Sequence, residues 1–436
     1  MDINQSTTQG NIDAIEDILY QGRIGDPTEN PGVKDISDCV VLVHGDLATC
    51  DRIESAQASR AIEETPWRRF QFVLVIFGLF HLKMACVDAL WRIFIEKKAS
   101  HSDPNGVMEH VGILRPKETG KIASKPGFRR MHEVIQHDGT ALRLDCWRVE
   151  SKKQDSTHTT LELWAASKPS WNQIVARSII LAKEYVACRD FGQRRRKPSN
   201  ERDEVFENSL LKNQYFLLYE EVTYAMNAGD IGRVEHCFLP WISLFLASGK
   251  NKYATHMATF LVDLHTTIPE PLRQWRQGLS LLNIICSRII RMNWLCNPTG
   301  KPGKFRGVDW LVERNNLYTK SWHGGSFSNR SVPRILKESP LIEIYRKMHV
   351  NIEQNFRLDN CTIQHAPPNM ERTLRALGNH IHEHKPHVFK PRRKATYIIE
   401  DKLRQGIAQV MLNLDLDMES CADDEEAEVD PEDLLD

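Results

Sequence analysis

The pattern of apolar and polar residues divides the chain into a region of alternating strands and helices and a long helical block. The run "VVLV" at Val40–Val43 predicts a short strand, and "RFQFVLVIF" at Arg69–Phe77 predicts a second, buried strand, because both are rich in β-branched or aromatic residues. The stretches "ATCDRIESAQASRAIEE" and "LKMACVDALWRIFIEKK" follow them and are typical of helices. This order predicts an α/β unit with a parallel pair of strands.

Helical periodicity continues through most of the remaining chain, and changes in composition mark the borders of its segments. We divide the chain into an N-terminal helix and loop (1–36), the first part of an α/β core (37–99), a basic, loop-rich region (100–146), a helical insertion (147–296), a helical return to the core (297–410) and a disordered acidic tail (411–436). The predicted fold class is therefore mainly α with a small α/β core.

Composition argues against several classes of protein. With 41% hydrophobic and 26% charged residues, the chain is typical of a soluble globular protein. Its longest apolar run, Phe70–Phe80, is too short to cross a bilayer, which needs about 20 residues, and its polar start predicts no secretory signal. The ten cysteines form no CxxC pair, which argues against zinc ribbons and a disulfide framework. We therefore expect an intracellular protein that does not enter a membrane.

Charge is distributed unevenly along the chain. The twelve acidic residues of the segment Asp415–Asp436 are accompanied by no lysine or arginine, so the rest of the chain carries a net charge of about +11. One interpretation of this tail is that it keeps the protein soluble. The other is that it competes with nucleic acid for the basic surface of the body.

Basic residues in two segments are candidates for nucleic-acid binding, with DNA as the expected partner, because lysine and arginine contact phosphates. They are Lys117, Lys121, Lys125, Arg129, Arg130, Lys301, Lys304 and Arg306. The clusters "RRRK" at Arg194–Lys197 and "KPRRK" at Lys390–Lys394 fit nuclear import or phosphate contact. The nucleus is therefore the expected location more than the cytoplasm, although exposed basic loops are also common without either role.

Three chemically active residue types occur at points where the predicted elements end or begin. Asp46 ends the first strand, His81 follows the second, and Glu313 lies on a downstream helix, one turn after Asp309. Such carboxylates suit Mg²⁺ or Mn²⁺, and two ions about 4 Å apart can assist phosphodiester cleavage. The candidate catalytic residues are Asp46, His81 and Glu313, and the candidate metal ligands are Asp46, Asp309 and Glu313.

Structural interpretations of the same residues stay open. An aspartate at the end of a strand commonly closes a turn or caps the next helix, and this applies to Asp46. A histidine after a buried strand, such as His81, is commonly held by hydrogen bonds within the fold. A glutamate on an amphipathic helix, such as Glu313, is commonly solvated or paired with a basic residue.

The order of these residues resembles the catalytic core of hAT-type transposases, which have an RNase H-like fold. In that group an acidic residue ends one strand, a histidine motif follows the next, a long helical insertion comes next, and a glutamate lies on the returning helix. The resemblance places Asp46 at the second acidic position, and the 45 residues before it are not strand-like. It therefore implies a truncated RNase H-like sheet with a large all-helical insertion, and little or no two-metal catalysis by this chain alone.

A second resemblance covers about residues 10 to 400. Several stretches resemble a family of uncharacterised proteins expanded in mushroom-forming fungi, named only as a domain of unknown function, six-five-eight-nine. Among these stretches are "VVLVHGDLATCDRIESAQASR", "FGLFHLKMACVDALWR", "LRPKETGKIASKPGFRRMHEVI" and "FRGVDWLVERNNLYTK". The family has no established activity, so the resemblance implies no catalytic residues.

One further motif allows two interpretations. The stretch "NHIHEHKPH" places His380, His382, His384 and His387 close together, where they could bind zinc or copper or form a solvated surface segment. The motifs GxSxG, HExxH and GxGxxG do not occur, so no small-molecule cofactor is evident.

The leading hypothesis is a transposon-derived protein with residual nucleic-acid binding and at most vestigial metal-dependent cleavage. The alternative is a non-enzymatic helical protein-interaction module.

Overall fold

The computed structural model describes residues 3–4, 6–36, 40–264, 290–314, 333, 337–338, 340–356 and 369–412. These residues are mainly helical and contain three two-stranded sheets. The strands are β1 Ile24–Gly25, β2 Lys34–Asp35, β3 Val41–Gly45, β4 Val73–Phe77, β5 Leu295–Cys296 and β6 Arg306–Gly307. The prediction of a mainly α protein with a small α/β unit is confirmed.

The labelled helices are α1 Thr8–Gln21, α2 Leu47–Ser59, α3 Leu79–Phe94, α4 Val107–Leu114, α5 Thr119–Ser124, α6 Phe128–Gln154, α7 Leu161–Ala166, α8 Trp171–Leu181, α9 Phe191–Arg196, α10 Glu204–Ala228, α11 Ile231–Ala247 and α12 Asn251–Val262. Residues 308–314 are helical, and three helices follow at Leu341–Asn355, Glu371–His384 and Lys402–Leu412. A 3-10 helix spans Lys98–Ser102, and a π-helix spans Ala182–Val186. In the part of the chain that the structure describes, no helix is long and apolar enough to cross a membrane.

The α/β unit follows the predicted order of strand, helix, strand and helix. Strand β3 pairs in parallel with β4, from Val41 opposite Val73 to Gly45 opposite Phe77, and α2 connects them. Because side chains alternate along a strand, Val41 and Val43 pack against a small core with α1, whereas Leu42 packs against the main core. The parallel sheet has two strands among the described residues, so a wider RNase H-like sheet stays a prediction.

Helix α3 lies at the centre of the main core. The predicted apolar face, which includes Leu82, Cys86, Leu90 and Ile93, is buried, but the rest of the helix is largely buried too. It packs against α6, α10 and α11. A helix that is apolar on all sides is typical of a core position, and α3 therefore anchors the α/β unit in the helical block.

The region 100–146, which we expected to be rich in loops, is largely helical. It contains α4, α5 and most of the long helix α6. The buried positions of α6, such as Met131, Val134, Asp138 and Leu142, recur every three or four residues, as a helix requires. Basic and polar residues between these positions obscure the pattern in the sequence.

Other predicted elements lie outside the described residues. They are most of the helix predicted over 271–296, most of the predicted helical continuation between residues 315 and 339, and the acidic tail from residue 413 onward.

An extended C-terminal segment, residues 385–401, packs across the first half of α10. Asn208 donates from Nδ2 to the carbonyl of Tyr397 over 2.6 Å, and its Oδ1 accepts the amide of Ile399 over 3.0 Å. Buried Asp203 accepts hydrogen bonds from Arg393 and from the amide of Lys390. Arg393 of the basic cluster 390–394 therefore takes part in internal contacts. The C-terminal segment also buries the polar face of α10.

We predict that Asn208→Ala lowers the free energy of unfolding by about 2–4 kcal/mol, because it leaves a carbonyl and an amide of the C-terminal segment without partners. Urea unfolding followed by circular dichroism measures the effect. The control is Asn172→Ala at an exposed position of α8, which we expect to change stability by less than about 0.5 kcal/mol. Equal effects of the two substitutions would contradict the assigned role of Asn208.

Candidate functional site

The N-terminus of α3 is capped by a residue that is distant in sequence. The first amides of a helix have no partner within the helix, and Gly78, the residue at the cap position, has no side chain to offer one. The carboxylate of Asp309 replaces it: Oδ1 accepts the amide of Phe80 over 3.1 Å, and Oδ2 accepts the amide of His81 over 3.0 Å. Asp309 is only 3% exposed, so these are buried hydrogen bonds that join the 308–314 helix to α3.

Two glycines make room for this carboxylate. A Cβ atom at Gly78 would overlap Oδ2 of Asp309, and a Cβ atom at Gly307 would lie 2.5 Å from its Oδ1. The φ angle of Gly78 is −73°, which any residue adopts, so glycine is required there for space. The same two glycines follow β4 and end β6, which brings both strand ends to the carboxylate.

His81 is oriented by the same carboxylate. Its Nδ1 lies 3.0 Å from Oδ2 of Asp309, and its Nε2 lies 3.9 Å from Oε1 of Glu313. An ionised carboxylate only accepts hydrogen bonds, so Nδ1 of His81 is the donor to Asp309, and Nε2 faces the Glu313 carboxylate. The side chains of His81 and Glu313 are 11% and 22% exposed, so solvent reaches the site from the Glu313 side. The structure thus brings together three of the four residues selected from the sequence.

The fourth residue, Asp46, has a different partner. Its Oδ1 accepts the amide of Thr49 over 2.7 Å, so Asp46 is the N-cap of α2. Asp46 therefore has the structural role that its position allows, because its carboxylate caps the next helix. The end of β3 still lies beside the start of α3, because the amide of Gly78 donates to the carbonyl of Gly45 over 2.8 Å. A metal-binding role for Asp46 stays a prediction.

His44 belongs to this site and was not selected from the sequence. Burial lowers its pKa, and the negative charge of Asp309 partly opposes that shift. Its Nδ1 is buried without a hydrogen-bond partner among the described residues. Its position two residues before Asp46, at the end of the same strand, is a sequence signal that could have identified it.

The candidate nucleic-acid-binding residues fall into two groups. The lysines are exposed: Lys117, Lys121, Lys125, Lys301 and Lys304. The arginines are half-buried and have partners within the protein: Arg129 contacts Glu133, Arg130 contacts Glu118, and Arg306 contacts Asn227. The lysines are therefore available to contact a phosphate, whereas the arginines also support the fold.

One arginine from each basic segment, Arg129 and Arg306, lies near His132. Burial lowers the pKa of His132 far below its usual range, and the positive charges of Lys83, Arg306 and Arg129 lower it further. His132 stacks on Phe128, and Phe128 packs edge to face against Phe80, whose amide binds Asp309. The zone of positive charge therefore borders the Asp309 site.

The histidine motif near the C-terminus is helical up to His384. The rings of His380 and His384 are 4.2 Å apart, and Nε2 of His380 lies 2.8 Å from the carbonyl of Pro104. His387 is buried and bonds through Nδ1 to Asp145 over 2.7 Å. His387 therefore serves the packing of the C-terminal segment, and metal binding by the other histidines stays a prediction.

Fold and site define a mainly helical protein with a carboxylate–histidine cluster at the end of a parallel strand pair. The chain matches the model of a family of unknown function, DUF6589, over residues 1–365, and it belongs to that family. No curated protein and no solved structure matches the chain. The predicted membership of this family is confirmed over residues 1–365, whereas the fungal origin and the resemblance to transposases stay predictions.

We predict that Gly78→Ala lowers the free energy of unfolding by about 2–4 kcal/mol, because the new methyl group displaces the Asp309 carboxylate and leaves buried amides unpaired. The measurement is the urea unfolding midpoint. Gly112 is a helical glycine with nothing within 4 Å of an added Cβ, so Gly112→Ala should be neutral or stabilising by up to about 1 kcal/mol. A Gly78→Ala variant as stable as wild type would show that the carboxylate does not need this space.

Proposed function

We propose that this protein binds nucleic acid through its basic zone, and that the cluster of Asp309, His81 and Glu313 is a remnant of an RNase H-like transposase site. The observation that supports the proposal is that Arg129 and Arg306, from two basic segments far apart in sequence, both lie near His132 beside this cluster. In this proposal DNA is the partner and the nucleus is the location.

The basic zone has the features that phosphate contact requires. Lysine ammonium groups on the exposed side of α5 and in the loop between β5 and β6 can approach a backbone without breaking internal bonds. Burial is the main cause of the low pKa of His132, and the positive charges of Lys83, Arg306 and Arg129 lower it further. Binding of this kind is electrostatic and independent of base sequence, because no contact to a base edge is needed.

The hydrogen bonds within the cluster argue against efficient metal-dependent cleavage, so we propose nucleic-acid binding as the main function. Phosphodiester cleavage in this proposal would use Mg²⁺ or Mn²⁺ held by Asp46, Asp309 and Glu313, with His81 assisting. However, both oxygens of Asp309 accept buried amides, and Asp46 caps α2. An ion would compete with these hydrogen bonds for the carboxylate oxygens, which would weaken the start of α3 in particular. We therefore propose that any cleavage activity is vestigial.

We predict that the full chain binds duplex DNA with an affinity that falls steeply as salt rises, measured by fluorescence anisotropy. Lys121→Ala and Lys304→Ala should each reduce the slope of log affinity against log salt by about 1, because each removes one phosphate contact. Lys152→Ala is the control. Lys152 is exposed at the other end of α6, roughly 35 Å from Arg129 at about 1.5 Å per helical residue, and the slope should not change.

Two results would overturn this proposal. Absence of binding at low salt would exclude the basic zone as a nucleic-acid surface and would favour the helical protein-interaction module. Efficient cleavage of the DNA with Mg²⁺ or Mn²⁺, abolished by EDTA and by Glu313→Gln, would show that the cluster is an active catalytic site.

A further inference from the structure

We propose that Asp51, Glu54 and His256 form a binding site for a divalent metal ion of the Zn²⁺ class, at the junction of α2 and α12. The site does not depend on the proposed function, because none of these residues belongs to the Asp309 cluster or to the basic zone. Each residue offers one ligand atom, and these atoms all lie within 4.8 Å of one another. Within the described part of the chain, no other set of three histidine, cysteine, aspartate or glutamate side chains meets this condition.

The ligands come from two elements that are distant in sequence. Asp51 and Glu54 are three residues apart on α2 and therefore lie on the same face of that helix. His256 lies on α12, and its Nε2 is 2.6 Å from Oδ1 of Asp51. The imidazole is thus already directed at one carboxylate, and its side chain is only 16% exposed.

The charges around the imidazole favour a cation. Asp263, at the end of α12, adds a third negative charge to those of Asp51 and Glu54. Lys252 is the opposing positive charge near His256. A divalent ion would compensate the remaining excess of negative charge around the site.

The donor atoms determine the class of metal. One imidazole nitrogen with two carboxylate oxygens is a ligand set found around Zn²⁺, whereas Mg²⁺ and Ca²⁺ prefer oxygen ligands throughout. Ligand atoms around a tetrahedral Zn²⁺ lie about 3.3 Å apart, since each is about 2.0–2.1 Å from the metal. In this structure Nε2 of His256 and Oδ1 of Asp51 are 2.6 Å apart, and the ligand atoms of all three residues lie within 4.8 Å of one another. The separation needed around Zn²⁺ falls between these two distances. Small movements of the side chains of exposed Glu54 and of Asp51 would therefore allow all three residues to coordinate one ion.

A metal ion here would connect two parts of the fold. Helix α2 links the two parallel strands, and α12 belongs to the helical block. An ion that binds both helices only in the folded state stabilises that state by mass action. The site is therefore proposed as a structural link and not as a catalytic centre.

The test is isothermal titration of the full chain with ZnCl₂ after treatment with EDTA and buffer exchange, with MgCl₂ and CaCl₂ as comparison ions. Glu54→Gln and His256→Gln remove one ligand each, and exposed Glu54 can be replaced without disturbing the core. His158→Gln is the matched control, because His158 lies 4.0 Å from Asp155 without a third ligand. His384→Gln tests the other place where neighbouring histidines could bind zinc.

The proposal predicts one Zn²⁺ site whose affinity falls more than about tenfold in Glu54→Gln and in His256→Gln and is retained in both controls. It also predicts that Zn²⁺ raises the Tm of the wild type and of the controls, but not of the two ligand variants. The proposal is overturned if millimolar Zn²⁺ does not bind the wild type, or if either ligand variant binds as tightly as the wild type. Loss of the site in His384→Gln alone would assign the binding to the C-terminal histidines and would also overturn it.

Discussion

The interaction on which the site depends is the pair of hydrogen bonds between the Asp309 carboxylate and the first amides of α3. Each bond satisfies a buried donor that would otherwise cost about 1–3 kcal/mol, and together they fix the 308–314 helix against the end of β4. The same carboxylate sets the orientation of His81. Because α3 lies at the centre of the main core, this contact joins the α/β unit, the returning helix and the helical block.

The capping role of Asp309 also explains why the cluster has the geometry of a catalytic site although we propose nucleic-acid binding and not efficient cleavage. A carboxylate that orients an imidazole next to a second carboxylate is an arrangement found in catalytic and metal sites. In this chain the orienting carboxylate of Asp309 also caps a buried helix, and Asp46 caps another. Candidate catalytic residues that were selected from the sequence therefore also carry part of the fold, so their presence alone does not require a cleavage activity.

Much of the α/β unit could be predicted from the sequence, because its two strands are β-branched runs and its two helices have helical periodicity, and both patterns are local. The association of His81, Asp309 and Glu313 could also be expected from their positions at the ends of elements. The space requirement at Gly78 could not, because it arises from contact with a residue more than 200 positions away. The long helix α6 was missed because polar residues such as Asp138 occupy buried positions, where Asp138 forms a hydrogen bond with His110.

The buried polar face of α10 illustrates the same limit. The cap residue Asp203 and Asn208 of its first half are polar residues whose partners lie in the distant C-terminal segment. Long-range hydrogen bonds of this kind leave no periodic signal, since the partner segment is extended and basic. Sequence patterns therefore predicted the elements, whereas the contacts that hold the candidate site together required the structure.

The most direct test of this account is amide hydrogen exchange at Phe80 and His81, measured by NMR. These amides lie in the first turn of α3, where no carbonyl of the helix can protect them, so their protection comes from Asp309. We expect both to exchange slowly in the wild type, about tenfold or more faster in Asp309→Ala, and unchanged in Glu313→Ala. Equal protection in the wild type and in Asp309→Ala would contradict the central role of this carboxylate.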